Sequence, residues 1–382
     1  MPVFKPGSID PIYGILATPG AWSLVPMPTS GDAWNDGAGH GVAGYALTAL
    51  SATPTVAGDK DSNDDVIALA KAIAYRAGTG APYTGYPAEI QTAIAYIIAN
   101  GLAVGSEPQP GLAVARNVAA WVLAADMMNL AALNPSLDTA FRQWLAGPVR
   151  TTSFGGRTLI EIHEERPNNW GTHAGASRMA IARYLGDTVD FQRAVEVFKG
   201  WLGDRNAYAG FDWGELHWQA DEDQPVGINP AGATKLDSAG VSRNIDGVLP
   251  DDQRRASGPA GTPPSFVWPP AKTNYVYEAL QGVLLQAILV ARAGRQNWGG
   301  VTWDPWAASG EAIRRAFEWL ADPAKGNFPV DDAATGSGDD HWETHIVNAV
   351  YGTALVAPTV PRIGKAFGFA DWLKLDPSWP TP

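Results

Sequence analysis

The chain has 382 residues, 46% of them hydrophobic, with 42 Gly, 30 Pro, 16 Trp and no Cys. Without cysteine there is no disulfide framework, no thiolate zinc site and no thiol nucleophile. Lys and Arg number 27 against 39 Asp and Glu, a formal net charge of −12, which argues against a nucleic-acid partner and, at first sight, against a polyanionic one.

No apolar run reaches the roughly 18 residues of a membrane span, so no membrane partner is expected. Residues Met1 to Gly7 lack the apolar stretch of a secretory signal. Localisation stays open between a leader absent from this sequence and a phage-borne enzyme released by lysis.

Helical spacing dominates the chain. The first helix is predicted over 64–77, with Val66, Leu69, Ala70, Ile73 and Ala74 on one face. Asp61, Ser62 and Asn63 are its capping candidates and Gly78 its stop. Helices follow over 86–100, 113–133, 137–145, 168–185, 191–202, 274–293, 310–320 and 345–356. Alternating strand patterns are scarce. The helices pair through short Gly or Pro turns, while the loops 203–273, 296–308 and 322–342 are long and rich in Trp, Asp and Pro. Helical hairpins with long loops at one end predict an all-α fold, an α/α barrel or toroid whose loops line a cleft. The Pro/Gly-rich stretch 256–271 reads as a loop, so residues 1–382 are expected to form a single domain.

The densest chemical cluster is Arg166-Pro-Asn-Asn-Trp-Gly-Thr-His173. Helix capping explains one of the two Asn residues. Asn169 and His173, four apart, share a helix face. An amide donor beside an imidazole suits a site that binds a carboxylate and moves a proton. The second cluster, Asn244-Ile-Asp-Gly-Val-Leu-Pro-Asp-Asp-Gln-Arg-Arg255, opens with a tight turn and otherwise reads as a solvated loop. The third, Thr273-Asn-Tyr-Val-Tyr-Glu-Ala-Leu280, opens the long apolar helix; tyrosines there commonly pack.

Together and in this order, the clusters resemble the α/α-toroid alginate lyases, particularly the mannuronate-specific group. The matching residues are Asn168-Asn169, Asp246-Gly-Val-Leu-Pro250 through Arg255, and Tyr275 with Ala279-Leu280. Weaker similarity runs through 28–31, 61–63 and 116–126. The chain departs from the family at Trp170 and Val276, where the family carries His. Arg255 lies 20 residues before Tyr275, farther than in the family, with the Pro/Gly loop between them.

The resemblance implies a lyase that cleaves a uronic-acid polysaccharide, alginate or glucuronan among the candidates, by β-elimination, without a cofactor. Asn169, with Arg255 or Arg243, would neutralise the uronate carboxylate. His173 or a deprotonated Tyr275 would take the C5 proton, and Tyr275 would protonate the leaving O4. A phenol ionises near pH 10, so a tyrosine base needs positive charge nearby. Asn168, Trp170, Arg243, Lys272, Trp213, Trp218, His341 and His345 are the expected substrate contacts. Trp201, Trp268, Trp298, Trp303 and Trp306 also lie in or near the loops, where indole faces can stack on pyranoses; at least half of the tryptophans are expected to be buried.

His341 and His345 are spaced for a metal, but not in the zincin order, so no metal is expected. The expected partner is an acidic polysaccharide and the expected state a monomer. One rival is a glycoside hydrolase pairing Asp212 or Glu215 with Asp331 or Asp340. The acidic pairs at 221–223, 331–332 and 339–340 otherwise read as solvated loops. The other rival is a non-catalytic glycan-binding or virion-associated protein. On an acidic protein, any uronate site must be a local basic pocket.

Overall fold

A computed structural model describes residues 35, 37–77, 80–256, 265–330, 342–356 and 364–367. Residues 28–31, 331–332, 339–340 and His341 lie outside the described residues. The fold is all-α. In chain order the helices are α1 (Gly41–Ala46), α2 (Asp64–Ala77), α3 (Tyr86–Asn100), α4 (Pro110–Met127), α5 (Leu130–Leu133), α6 (Pro135–Trp144), α7 (Leu159–Glu165), α8 (Asn169–Leu185) and α9 (Thr188–Trp201). After the hairpin β1 (Thr234–Leu236) and β2 (Ser242–Asn244) come α10 (Pro250–Gln253), α11 (Tyr275–Arg295), α12 (Ala308–Ala321) and α13 (Glu343–Tyr351). The two strands pair antiparallel, with Lys235 opposite Arg243.

Local chemistry explains most boundaries. α2 and α3 run as the apolar spacing predicts. The helix expected over 113–133 is broken, because Asn129 adopts φ 58° and separates α4 from α5; asparagine tolerates that left-handed conformation. Asn134 caps α6 by accepting the Leu137 N–H at 3.1 Å. Its last residues widen into a π-type turn at Leu145–Val149, which contains Pro148; proline removes one helical donor there. α7 was not expected from spacing. It is short and starts with a capping box, in which Thr158 and Glu161 satisfy each other's backbone N–H groups. α1 and the hairpin were also not expected.

α8 is the centre of the bundle, packed between α4 and α11. Its residues from Gly171 to Tyr184 are all buried. A Cβ on Gly282 of α11 would lie 2.3 Å from the Thr172 carbonyl carbon, so only glycine allows this approach. α11 corrects one sequence expectation. Over Tyr275–Gly294 it is long and apolar enough to cross a membrane, with mean hydropathy 1.3, yet 94% of that stretch is buried inside the protein. It is a core helix of the bundle, packed against α8.

Residues 364–367 return to the first helices. The buried Lys365 Nζ donates to Asp65 Oδ1 of α2 at 2.5 Å and to Asn117 Oδ1 of α4 at 2.7 Å. The Lys365 carbonyl accepts from Trp342 Nε1 at 3.0 Å.

Candidate functional site

The start of α8 brings the three sequence clusters together. Asn168 is its N-cap and accepts the Trp170 N–H at 3.2 Å. Asn168 therefore acts here as a cap through its side-chain oxygen, and it is buried. The chain enters from α7 in a sharp bend, and a Cβ on Gly171 would lie 1.7 Å from the Arg166 carbonyl oxygen. That contact accounts for glycine after Trp170.

Asn169 is fully buried and held on three sides. Its backbone N–H donates to Asp252 Oδ1 at 3.1 Å. Its Nδ2 donates to Glu278 Oε2 at 2.7 Å, and its Oδ1 accepts from Arg255 Nη1 at 2.8 Å. With donor and acceptor ends both engaged, the amide orientation is specified. The Arg255 guanidinium carbon lies 3.4 Å from the centre of the Tyr275 ring, a close cation–π contact. Arg255, Asn169 and Tyr275 come from three different segments and meet at one point. Arg255 and Tyr275 are partly exposed, and Asn169 lies behind them.

Short local structure presents these groups. Gly247, at φ 89°, packs against the Arg315 backbone where a Cβ would lie 2.3 Å from its carbonyl oxygen. Leu249-Pro250 then starts α10, which buries Asp251 and Asp252 and leads directly into Arg254 and Arg255. Gln253 ties this turn to the segment before α11 by donating to the Ala271 carbonyl at 2.8 Å. On α11, Glu278 Oε1 accepts from Asn274 Nδ2 at 2.6 Å, so one carboxylate holds two asparagine amides.

The electrostatics are mixed. Burial pushes the Asp252 carboxyl well above its ordinary range; Arg255 opposes the shift, and Asp251 and Glu278 add to it. Its neutral form is thereby favoured, which leaves the Arg255 charge less cancelled at 3.8 Å. Arg254 is neutralised by Asp251 at 2.7 Å and by Glu215.

Several expectations need correction. His173 is fully buried in the middle of the bundle, so it is shut away from any bound sugar and is no candidate for the base. Trp218 is also buried, edge-on to Phe266 with ring centres 4.6 Å apart, so it packs the loops and offers no sugar platform. Arg243 pairs with Asp237 at 2.7 Å and lies 5.5 Å over the Trp268 ring, within the hairpin region and not at Asn169. Lys272 is exposed on the segment before α11, and His345 is half-buried on α13. Trp170 and Trp213 are partly exposed, as are Trp268, Trp298 and Trp303; Trp201 and Trp306 are buried. Of the hydrolase carboxylates, Asp212 is exposed and Glu215 is bound by Arg254, while Asp331 and Asp340 lie outside the described residues. Among the described residues no three His, Asp or Glu cluster as a metal site.

Spacing alone missed Asp252, Glu278 and Arg166. Glu278 had a usable signal, since it lies four residues after Asn274 and three after Tyr275 on one helix face. Asp252 had none, because its partner Asn169 is 83 residues away.

Residues 109–217 match the family model described as Alginate lyase. The match covers α4 through α9 and the Asn168-Asn169 helix start. The chain thus resembles alginate lyase-like polysaccharide lyases over that segment, which supports polysaccharide lyase activity in general. No curated protein matches the chain.

Proposed function

We propose that this protein cleaves a uronic-acid polysaccharide by β-elimination, using Arg255, Asn169 and Tyr275. The observation that carries the reading is that Arg255 touches both Asn169 and Tyr275. The family's remaining matches are read as one single-domain α/α toroid around this site.

The C5 proton of a uronate is weakly acidic while the neighbouring carboxylate is charged. Neutralising that carboxylate stabilises the enolate-like intermediate that forms when the proton leaves. Arg255, at the exposed side, would meet the carboxylate. Asn169 would hold Arg255 in place from behind. Tyr275 would act as the base on C5, in its ionised form, and then return the proton to O4. The C5–H electron pair becomes the C4–C5 double bond as the C4–O4 bond breaks. The Arg255 guanidinium carbon lies 3.4 Å from the centre of the Tyr275 ring, which keeps the two groups together at the site. His173 has no part in this scheme, and neither Trp170 nor Val276 can move a proton in place of the family's His residues.

Tyr275→Phe tests the assignment. Acid–base groups commonly contribute about a hundred- to ten-thousandfold, so turnover should fall by that factor while oligouronate binding persists. Turnover within about threefold of wild type would remove Tyr275 from the proton path.

A further inference from the structure

Arginine recognises a planar carboxylate through two parallel hydrogen bonds, and one already neutralised by a protein carboxylate is poorly placed to bind another. Most arginines around the site are neutralised in this way. Arg157 meets Glu165 at 2.6 Å, Arg243 meets Asp237 at 2.7 Å and Arg254 meets Asp251 at 2.7 Å. Arg178 meets Glu164 at 3.0 Å and Asp190 at 2.7 Å.

Arg166 differs. Its side chain forms no ion pair or hydrogen bond with any described residue, and its Nε is buried without an acceptor. Asp212 and Asp251 attract it only from beyond ion-pair contact, while Arg157 and Arg255 repel it. A half-buried guanidinium left in that state is electrostatically unsatisfied. It is also held in position. The guanidinium carbon lies 5.4 Å from the centre of the partly exposed Trp170 ring. The Arg166 backbone is extended, at φ −94° and ψ 115°, the conformation favoured before Pro167. The same junction delivers Asn169.

We propose that Arg166, beside the Trp170 ring, is a second carboxylate-binding position that takes the uronate next to the one held at Arg255. Trp170 supplies a flat apolar face for the sugar and Arg166 the charge for its carboxylate. The inference rests on the uronate reading of the site. It makes the local basic pocket a pair of arginines, Arg166 and Arg255. A chain with consecutive uronates would then be favoured over one in which neutral sugars intervene.

The test uses the full chain, trimannuronate, and the same trimer with its carboxyl groups reduced to alcohols. Binding is measured by titration, and turnover by the ultraviolet absorbance of unsaturated product on polymannuronate. Arg166→Met should weaken trimannuronate binding by about tenfold or more, the loss expected for one charge-assisted contact. Binding of the reduced trimer should not change. KM should rise by the same factor with kcat within about threefold, and Arg166→Lys should fall between. Unchanged trimannuronate binding in Arg166→Met would overturn the proposal, and so would equal loss of both trimers or wild-type binding of neither. Arg166-dependent binding without unsaturated product would sink the lyase reading and leave the binding position standing. Wild-type elimination with unchanged KM in Arg166→Met would do the reverse.

Discussion

Glu278→Gln preserves shape and removes a charge at the point where two asparagines converge. Oε2 accepts from Asn169 at 2.7 Å and Oε1 from Asn274 at 2.6 Å. A glutamine offers one acceptor oxygen and one NH2 group, so one asparagine amide must then face a donor. If Asn169 turns to relieve that contact, its NH2 faces Arg255 and the 2.8 Å bond from Arg255 Nη1 to Oδ1 is lost. One hydrogen bond to a charged group contributes about 1.5–3 kcal/mol. As transition-state stabilisation that is about a ten- to hundredfold loss in kcat. KM should change less, because Arg255 stays at the surface to meet substrate. As ground-state stability it lowers Tm by about 1 °C per kcal/mol in a protein of this size. The assay is initial rate against uronan concentration, followed by absorbance of the unsaturated product, with a thermal melt alongside. Glu278→Ala is the control; it leaves both amides without their acceptor and should be the less stable of the two. A kcat within about twofold of wild type at unchanged Tm would refute the positioning role of Glu278.

Other consequences concern stability. Burial, the largest cause, raises the Asp252 carboxyl, so its contribution is fully present below the unfolded value of about 3.9 and is lost as pH rises through the raised folded value. Asp252→Asn keeps an acceptor for the Asn169 N–H. Its Tm should therefore gain on wild type as pH rises above the unfolded value of about 3.9, whereas a pH-independent difference would contradict the buried-acid assignment. Lys365→Met removes one partner of a fully buried ion pair with Asp65 and should destabilise by about 3–5 kcal/mol, read by chemical denaturation. A loss near zero would mean that residues 364–367 do not clasp α2 and α4.

Helix positions were legible where a single face is apolar and the ends carry caps. α2 and α3 follow from Val66, Ile73, Ile90 and Ile97 with Gly78 and Gly101 beyond them. The break at Asn129 was not legible, because a left-handed asparagine leaves no mark on apolar spacing. The juxtaposition of Asn169, Arg255 and Tyr275 was anticipated only through the order of three motifs. Nothing in the spacing of one helix joins residues 86 positions apart. Burial was the main source of error. His173 shares the helix face of Asn169 and so looked available, but α11 packs against that turn at Gly282. Trp218 looked like a loop tryptophan and proved to be part of the packing beneath the loops. The acidic total of the chain does not describe the site. Asp252, whose neutral form burial favours, and Arg166, without a carboxylate partner among the described residues, make the local charge at the site differ from the global one.

The direct test of β-elimination is the product formed by the wild-type protein from a panel of uronans. New reducing ends should appear in step with the ultraviolet absorbance of a C4–C5 unsaturated uronate, on at least one polymer. Reducing ends without that absorbance would mean hydrolysis, and the Arg255–Asn169–Tyr275 mechanism would be wrong.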